Sequence, residues 1–143
     1  MTLPRPSVRY QLLFQHEVLR ALLGRLADAA ERTARGQPAA QDLRDAARSL
    51  HAVMEAHVNQ EEQLLEPFFL RHAPRRLGQL RADHRKGLEM LRRLNARPSG
   101  KAAAGYRRLV PLLMAAIERE SRDILEPDLA HEVPGDGRQR DTA

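Results

Sequence analysis

No cysteine occurs anywhere in the 143 residues. Disulfides and thiolate ligands are thereby excluded, and any metal must be held by imidazole and carboxylate. Aromatic residues make up only 3% of the chain and tryptophan is missing, so a core has to be built mainly from Leu, Ala and Val. No run of about 18 apolar residues is present, which argues against a membrane-spanning helix. The stretch from Met1 to Arg9 is polar and carries prolines, with no apolar signal-peptide core. A cytoplasmic location is the resulting expectation. Lysine is scarce as well: of the 24 basic residues only Lys86 and Lys101 are lysines. The arginines are spread along every segment and interleaved with acids, although the net charge is +5. That diffuse pattern reads as a solvated helix surface and argues against a nucleic-acid footprint. No segment alternates with a period of two for long enough to form a strand.

What is present is helical periodicity in four segments, separated by turn chemistry. The first runs from about Val8 to Arg35, with a stripe of Leu12, Leu19, Leu23, Leu26 and Ala30, and ends at Gly36-Gln37-Pro38. The second runs from about Ala39 to Phe69, with Leu43, Leu50, Met54, Leu64 and Phe68 on one face; Pro67 should bend or fray its end. The third covers about Arg75 to Ala96, and Pro98-Ser99-Gly100 breaks it. The fourth covers about Lys101 to Ala130, and should kink at Pro111 or start close to it. Four amphipathic helices with short connections give an all-α, up-down-up-down four-helix bundle. One domain is expected over residues 1–133. The tail 134–143 has no apolar anchor and should be disordered.

The informative residues lie within the stripes. His16 falls four residues after Leu12 and three before Leu19, so it points where the leucines point. His57 follows Met54 by three, and Glu61 follows His57 by four. His84 falls four after Leu80 and four before Leu88. A lone histidine on an apolar face is more often a satisfied core residue than a ligand. Three of them with an inward glutamate are harder to dismiss, because each buried polar group without a partner costs free energy. A shared metal satisfies all four, and imidazole with carboxylate suits iron, zinc or manganese. His51 is out of phase, while His72 and His131 fall in connections or near the tail, so all three read as surface residues.

The chain also repeats itself. Met54, Ala56, Leu65, Glu66 and Pro67 recur without gaps as Met114, Ala116, Leu125, Glu126 and Pro127, and His16 pairs with His84 in the same way. Two related helical hairpins result. Together, His16, then His57-x-x-x-Glu61-Glu62 with its leucine pair and Pro67, then Asp83-His84-Arg85, form a pattern that resembles the hemerythrin-like family (HHE cation-binding domains) over about residues 10–130. The resemblance implies a four-helix bundle around a carboxylate-bridged non-haem di-iron centre. It also implies roles in oxygen binding, in sensing oxygen, nitric oxide or iron, or in repair of iron centres. Carried over by position, His16, His57 and Glu61 match the ligands of the first hairpin, and His84 the first ligand of the second.

The second hairpin departs from the family pattern. Its own His-x-x-x-Glu would fall at Ile117 and Ser121. Glu120 lies one residue from the Ser121 slot, roughly 100° round the helix. The expectation is therefore a reduced, mononuclear site of His16, His57, Glu61 and His84, holding non-haem iron or else zinc. Its role would be sensing or binding, with dioxygen or nitric oxide as candidate ligands, rather than catalysis. There is no Gly-rich phosphate loop and no Ser/His/Asp set to suggest an enzyme. Two alternatives stay open: a bundle that is now an interaction scaffold without functional metal, and a di-iron protein completed by Glu120, Glu62 or a second chain. A homodimer is compatible with the pattern.

Overall fold

The computed structural model describes residues 5–125. They form four helices: α1 (Arg5–Ala34), α2 (Ala40–His72), α3 (Pro74–Asn95) and α4 (Ser99–Leu125). No strand occurs among the described residues. The expected tail 134–143 and His131 lie outside them. Among the described residues no helix is long and apolar enough to cross a membrane.

Local chemistry sets the boundaries. Gly36 adopts φ 77°, and α1 ends in a Schellman motif: Gln37 N–H donates to Arg32 O (3.0 Å) and Gly36 N–H to Thr33 O (3.0 Å). The turn between α2 and α3 is a single residue. Ala73 is held at φ −155°, ψ 65°, since the residue before a proline is pushed out of the helical region, and Pro74 then opens α3. α2 runs past Pro67 and beyond the expected end near Phe69 to His72, and so takes that residue into its last turn. Pro111 lies well inside a helix that starts at Ser99, which corrects the alternative of a start close to that proline. Both prolines are solvent-exposed. The carbonyl that each leaves unpaired can therefore be hydrated, which lowers the penalty for an interior proline.

The helices pack in sequence order as a bundle, with α1 against α2 and α4, and α3 against α2; of the neighbouring pairs, α3 and α4 meet most sparsely. The apolar interior has two parts. The larger gathers Leu19, Leu23, Leu26, Leu50, Leu91 and Leu109 with small alanines around them. The smaller gathers Leu12, Leu65, Phe68, Phe69 and Leu77. Leu65, rather than the expected Leu64, takes the buried place on α2. Tyr106 pins the α3–α4 end by donating its hydroxyl to Asn95 Oδ1, and burial pushes its phenol up to about 12. Between the two apolar parts lies a layer of buried polar residues: His16, His57, Glu61, His84 and Ser121. The fold thus sandwiches a polar layer between two greasy ones.

Two adjacent positions on α1 separate core packing from helix propensity. Leu23 is fully buried, so Leu23→Ala should lower stability by about 2–5 kcal/mol through lost transfer energy and a cavity. Gly24 is exposed and a methyl group there meets nothing within 4 Å, so Gly24→Ala should raise stability by roughly 0.5–1 kcal/mol. Urea denaturation midpoints at constant slope check both signs.

Candidate metal centre

The centre of the polar layer is the carboxylate of Glu61, which is 0% exposed. Its own helix brings His57, one turn earlier, so that His57 Nε2 lies 2.9 Å from Glu61 Oε2. α1 contributes His16, whose Nε2 lies 3.0 Å from the same oxygen. α3 contributes His84, with Nε2 at 3.3 Å from Glu61 Oε1. Three imidazoles from three helices therefore turn their Nε2 atoms onto one carboxylate. All four residues expected from the sequence come together.

α4 supplies two further groups. Ser121 is buried, and its Oγ lies 2.8 Å from His16 Nδ1. Glu120 turns inward as well, with Oε1 3.1 Å from His84 Nε2 and Oε2 3.6 Å from His16 Nε2. One ligand atom from each of His16, His57, Glu61 and Glu120 lies within 4.8 Å of the others, and His84 stands beside them against both carboxylates. Ile117 joins the apolar core. Glu118 is exposed, and Asp123 faces Arg76 at 3.5 Å.

The far nitrogens of the rings are also held. His57 Nδ1 donates to Gln15 Oε1 (2.6 Å), and Gln15 in turn donates to Gln60 Oε1 (2.6 Å). With its proton on Nδ1, a neutral His57 presents a lone pair to Glu61. Two acceptors then face each other at 2.9 Å, and His57 Nε2 and Glu61 Oε1 are buried without a hydrogen-bond partner. A cation resolves that arrangement, whether a proton or a metal. The Ser121 hydroxyl can donate to or accept from His16 Nδ1, so it supports either tautomer of that ring. Outer partners that fix ring orientation and leave Nε2 facing inward are what a histidine metal site needs. The donor set and its orphaned atoms fit a metal ion.

Charge is divided unequally between the carboxylates. Burial opposes ionisation of Glu61, yet contacts with His16, His57 and His84 hold its carboxyl well below the usual range. Glu120 is shifted upward, by burial first and by the nearby charge of Glu61, against the pull of His84. Burial alone would lower His84, but Glu120 and Glu61 outweigh it and raise the imidazole to about 10. The two carboxylates thus favour the protonated form of His84.

A family model, Hemerythrin HHE cation binding domain, matches residues 8–126. The chain belongs to this hemerythrin family. No curated protein and no solved structure matches it. As a hemerythrin HHE domain it carries, at the centre of the bundle, a His/Glu cluster of the kind that holds a cation. Within this hemerythrin framework the unexpected member is Glu120. By spacing it lies roughly 100° from the Ser121 slot, and the sequence offers it only in the alternative of a completed di-iron site. Glu120 is nonetheless three residues from Ile117, and an inward helix face takes both the i+3 and the i+4 positions. Ser121 covers the α1 side of that face and Glu120 the α3 side. Gln15, the partner of His57, had no signal in the sequence beyond its place next to His16.

Linkage gives the metal-free protein a defined pH profile. The folded-state pKa of His84, about 10, lies above its ordinary 6.5. Its contribution is therefore fully present below pH 6.5 and is lost as pH rises through about 10. Glu61 acts in the opposite sense: its contribution is present above the ordinary carboxylate range and is lost as pH falls through its depressed value. Denaturation midpoints of metal-free protein should decline on the alkaline side, and His84→Gln should flatten that decline.

Proposed function

We propose that this domain binds one non-haem iron ion per chain through His16, His57, Glu61 and His84, with Glu120 as a fifth donor. The observation that carries this reading is the meeting of His16, His57, Glu61 and Glu120 ligand atoms within 4.8 Å, with His84 against both carboxylates. The first four make the only such group of metal-type side chains among the described residues, and His84 adjoins it. Two carboxylates and neutral imidazoles balance one divalent cation. Five nitrogen and oxygen donors exceed the four of a structural zinc site, which favours iron over zinc. When bound, iron would supply a Lewis-acidic and redox-active centre.

The chain's own residues then decide what reaches that centre. A small cavity of about 40 Å³ adjoins His57, His84 and Glu120, with walls that include Met54, Leu113 and Ile117. Its walls are mostly apolar. Space of that size and character suits a neutral diatomic molecule such as dioxygen or nitric oxide. Ile117 stands where the family pattern expects a ligand, and as an alkyl wall it keeps water from being held there. Glu120 is the most exposed ligand group, with a side chain 17% accessible, and it is placed to exchange protons with solvent. We read the domain as a binding or sensing module for such a ligand.

Metal content is the test. Protein purified without an affinity tag from iron- and zinc-replete cells should hold about one iron per chain. His57→Ala should abolish binding. Glu120→Gln should weaken it strongly, and Ser121→Ala should weaken it about 10-fold to 100-fold, as loss of an outer partner does. No metal under those conditions would favour an interaction scaffold, and two irons per chain would favour a di-iron protein; either result contradicts the proposal. Uptake should also release the His84 proton, so affinity should rise with pH below about 10. Calorimetry in buffers of different ionisation enthalpy reads that proton directly.

A further inference from the structure

α3 and α4 are the neighbouring helices that pack most sparsely, and a cleft of about 390 Å³ opens between them. Its apolar lining comes from Phe69, Leu80 and Ala116. Above this lining stand three guanidinium groups: Arg76 on α3, and Arg119 and Arg122 on α4. Arg76 is held in place from two sides. Its guanidinium lies 5.5 Å from the centroid of the Phe69 ring, and its Nη2 lies 3.5 Å from Asp123 Oδ2.

Two of the carboxylates that share the cleft have charged partners: Asp123 faces Arg76, and Glu120 is turned inward onto His84 at 3.1 Å. Asp83 keeps its charge, since it accepts only from the neutral Gln79 amide at 2.9 Å. Arg119 and Arg122 are exposed, and among the described residues neither has a carboxylate within 4 Å. Two arginines against one aspartate leave a positive balance facing solvent, and it sits over an apolar surface. Its volume falls near the low end of the roughly 300–1,000 Å³ of small-molecule sites. Guanidinium forks match a carboxylate in two-pronged geometry, which a bare cation cannot use. A fully polar anion would leave the Phe69 and Leu80 surface uncovered.

We propose that this cleft binds a small organic carboxylate, with its apolar body on Phe69 and Leu80 and its carboxylate between Arg119, Arg122 and Arg76. The site does not depend on metal. It lies on the outer side of Glu120, which also lines the small cavity beside the histidines.

The test titrates metal-free full-length protein with sodium benzoate, with acetate and inorganic phosphate as comparisons. Backbone amide and arginine Nε–H resonances are followed by NMR. Benzoate should give saturable shifts at Leu80, Ala116 and the Arg119 Nε–H, and should bind more tightly than acetate or phosphate. The double variant Arg119→Ala/Arg122→Ala should weaken benzoate about tenfold or more, since two charge-assisted contacts are lost. Both residues are exposed, so the variant should fold as the parent does. Arg93→Ala, an exposed arginine outside the cleft, should leave binding unchanged. The titration is run on metal-free protein, which separates this site from the metal proposal. The proposal is overturned by shifts that fail to saturate or by equal loss in Arg93→Ala. Phosphate binding as tightly as benzoate would overturn it too.

Discussion

A carboxylate with no access to solvent has to be compensated where it stands, and Glu61 is such a group. Leaving its charge unpaired in a dry interior would cost several kcal/mol or more, so the surroundings must supply opposite charge or donors. The bundle does this by sending one imidazole from each of α1, α2 and α3 onto the same two oxygens. α4 joins through Ser121 on His16 and through Glu120 on His84. All four helices are thereby fixed in register at one level, with apolar packing above and below it. Site and fold are not separable here. The same contacts that solvate Glu61 determine how the helices meet.

The departures on α4 acquire a physical meaning within that layer. Ile117, in place of a ligand, extends the apolar core up to the edge of the polar layer and walls the small cavity beside it. Ser121, in place of a bridging carboxylate, turns from the centre to the outer nitrogen of His16. Glu120 restores a second carboxylate from the α3 side. Two carboxylates match the charge of one divalent ion, as the proposed function requires. A second ion would need further anionic donors, and Glu62, the nearest remaining acid, is engaged at 3.5 Å with both His84 Nδ1 and Arg81. Depression of Glu61 and elevation of His84 and Glu120 are three views of one balance, in which a proton holds the place that a metal can take.

Much of this could be read from the chain. Leu12, Leu19 and Leu23 set a helical phase, and His16 falls into it; Met54 and Leu50 do the same for His57 and Glu61. Periodicity carries such information because the helical repeat fixes direction from spacing alone. The reading failed where direction depends on more than spacing. Glu120 lies off the line of Ile117 and Ser121, but an inward face is a stripe about 100° wide and takes it in. Pro67 and Pro111 each sit on the solvent side, where water can satisfy the freed carbonyl, so α2 runs on past the one and α4 starts well before the other. Gln15 holds His57 only because α1 and α2 cross at that height, which no local pattern encodes. The cleft between α3 and α4 was equally invisible, since it arises from how sparsely two helices meet.

The central claim is one metal ion held between Glu61 and Glu120 by the inward histidines. X-ray absorption on iron-loaded protein tests it most directly, because the method sees both the donors and any neighbouring metal. The account predicts a single shell of nitrogen and oxygen with imidazole scattering, and no metal–metal vector. A second metal at the roughly 3.5–4 Å of two-metal sites would contradict it.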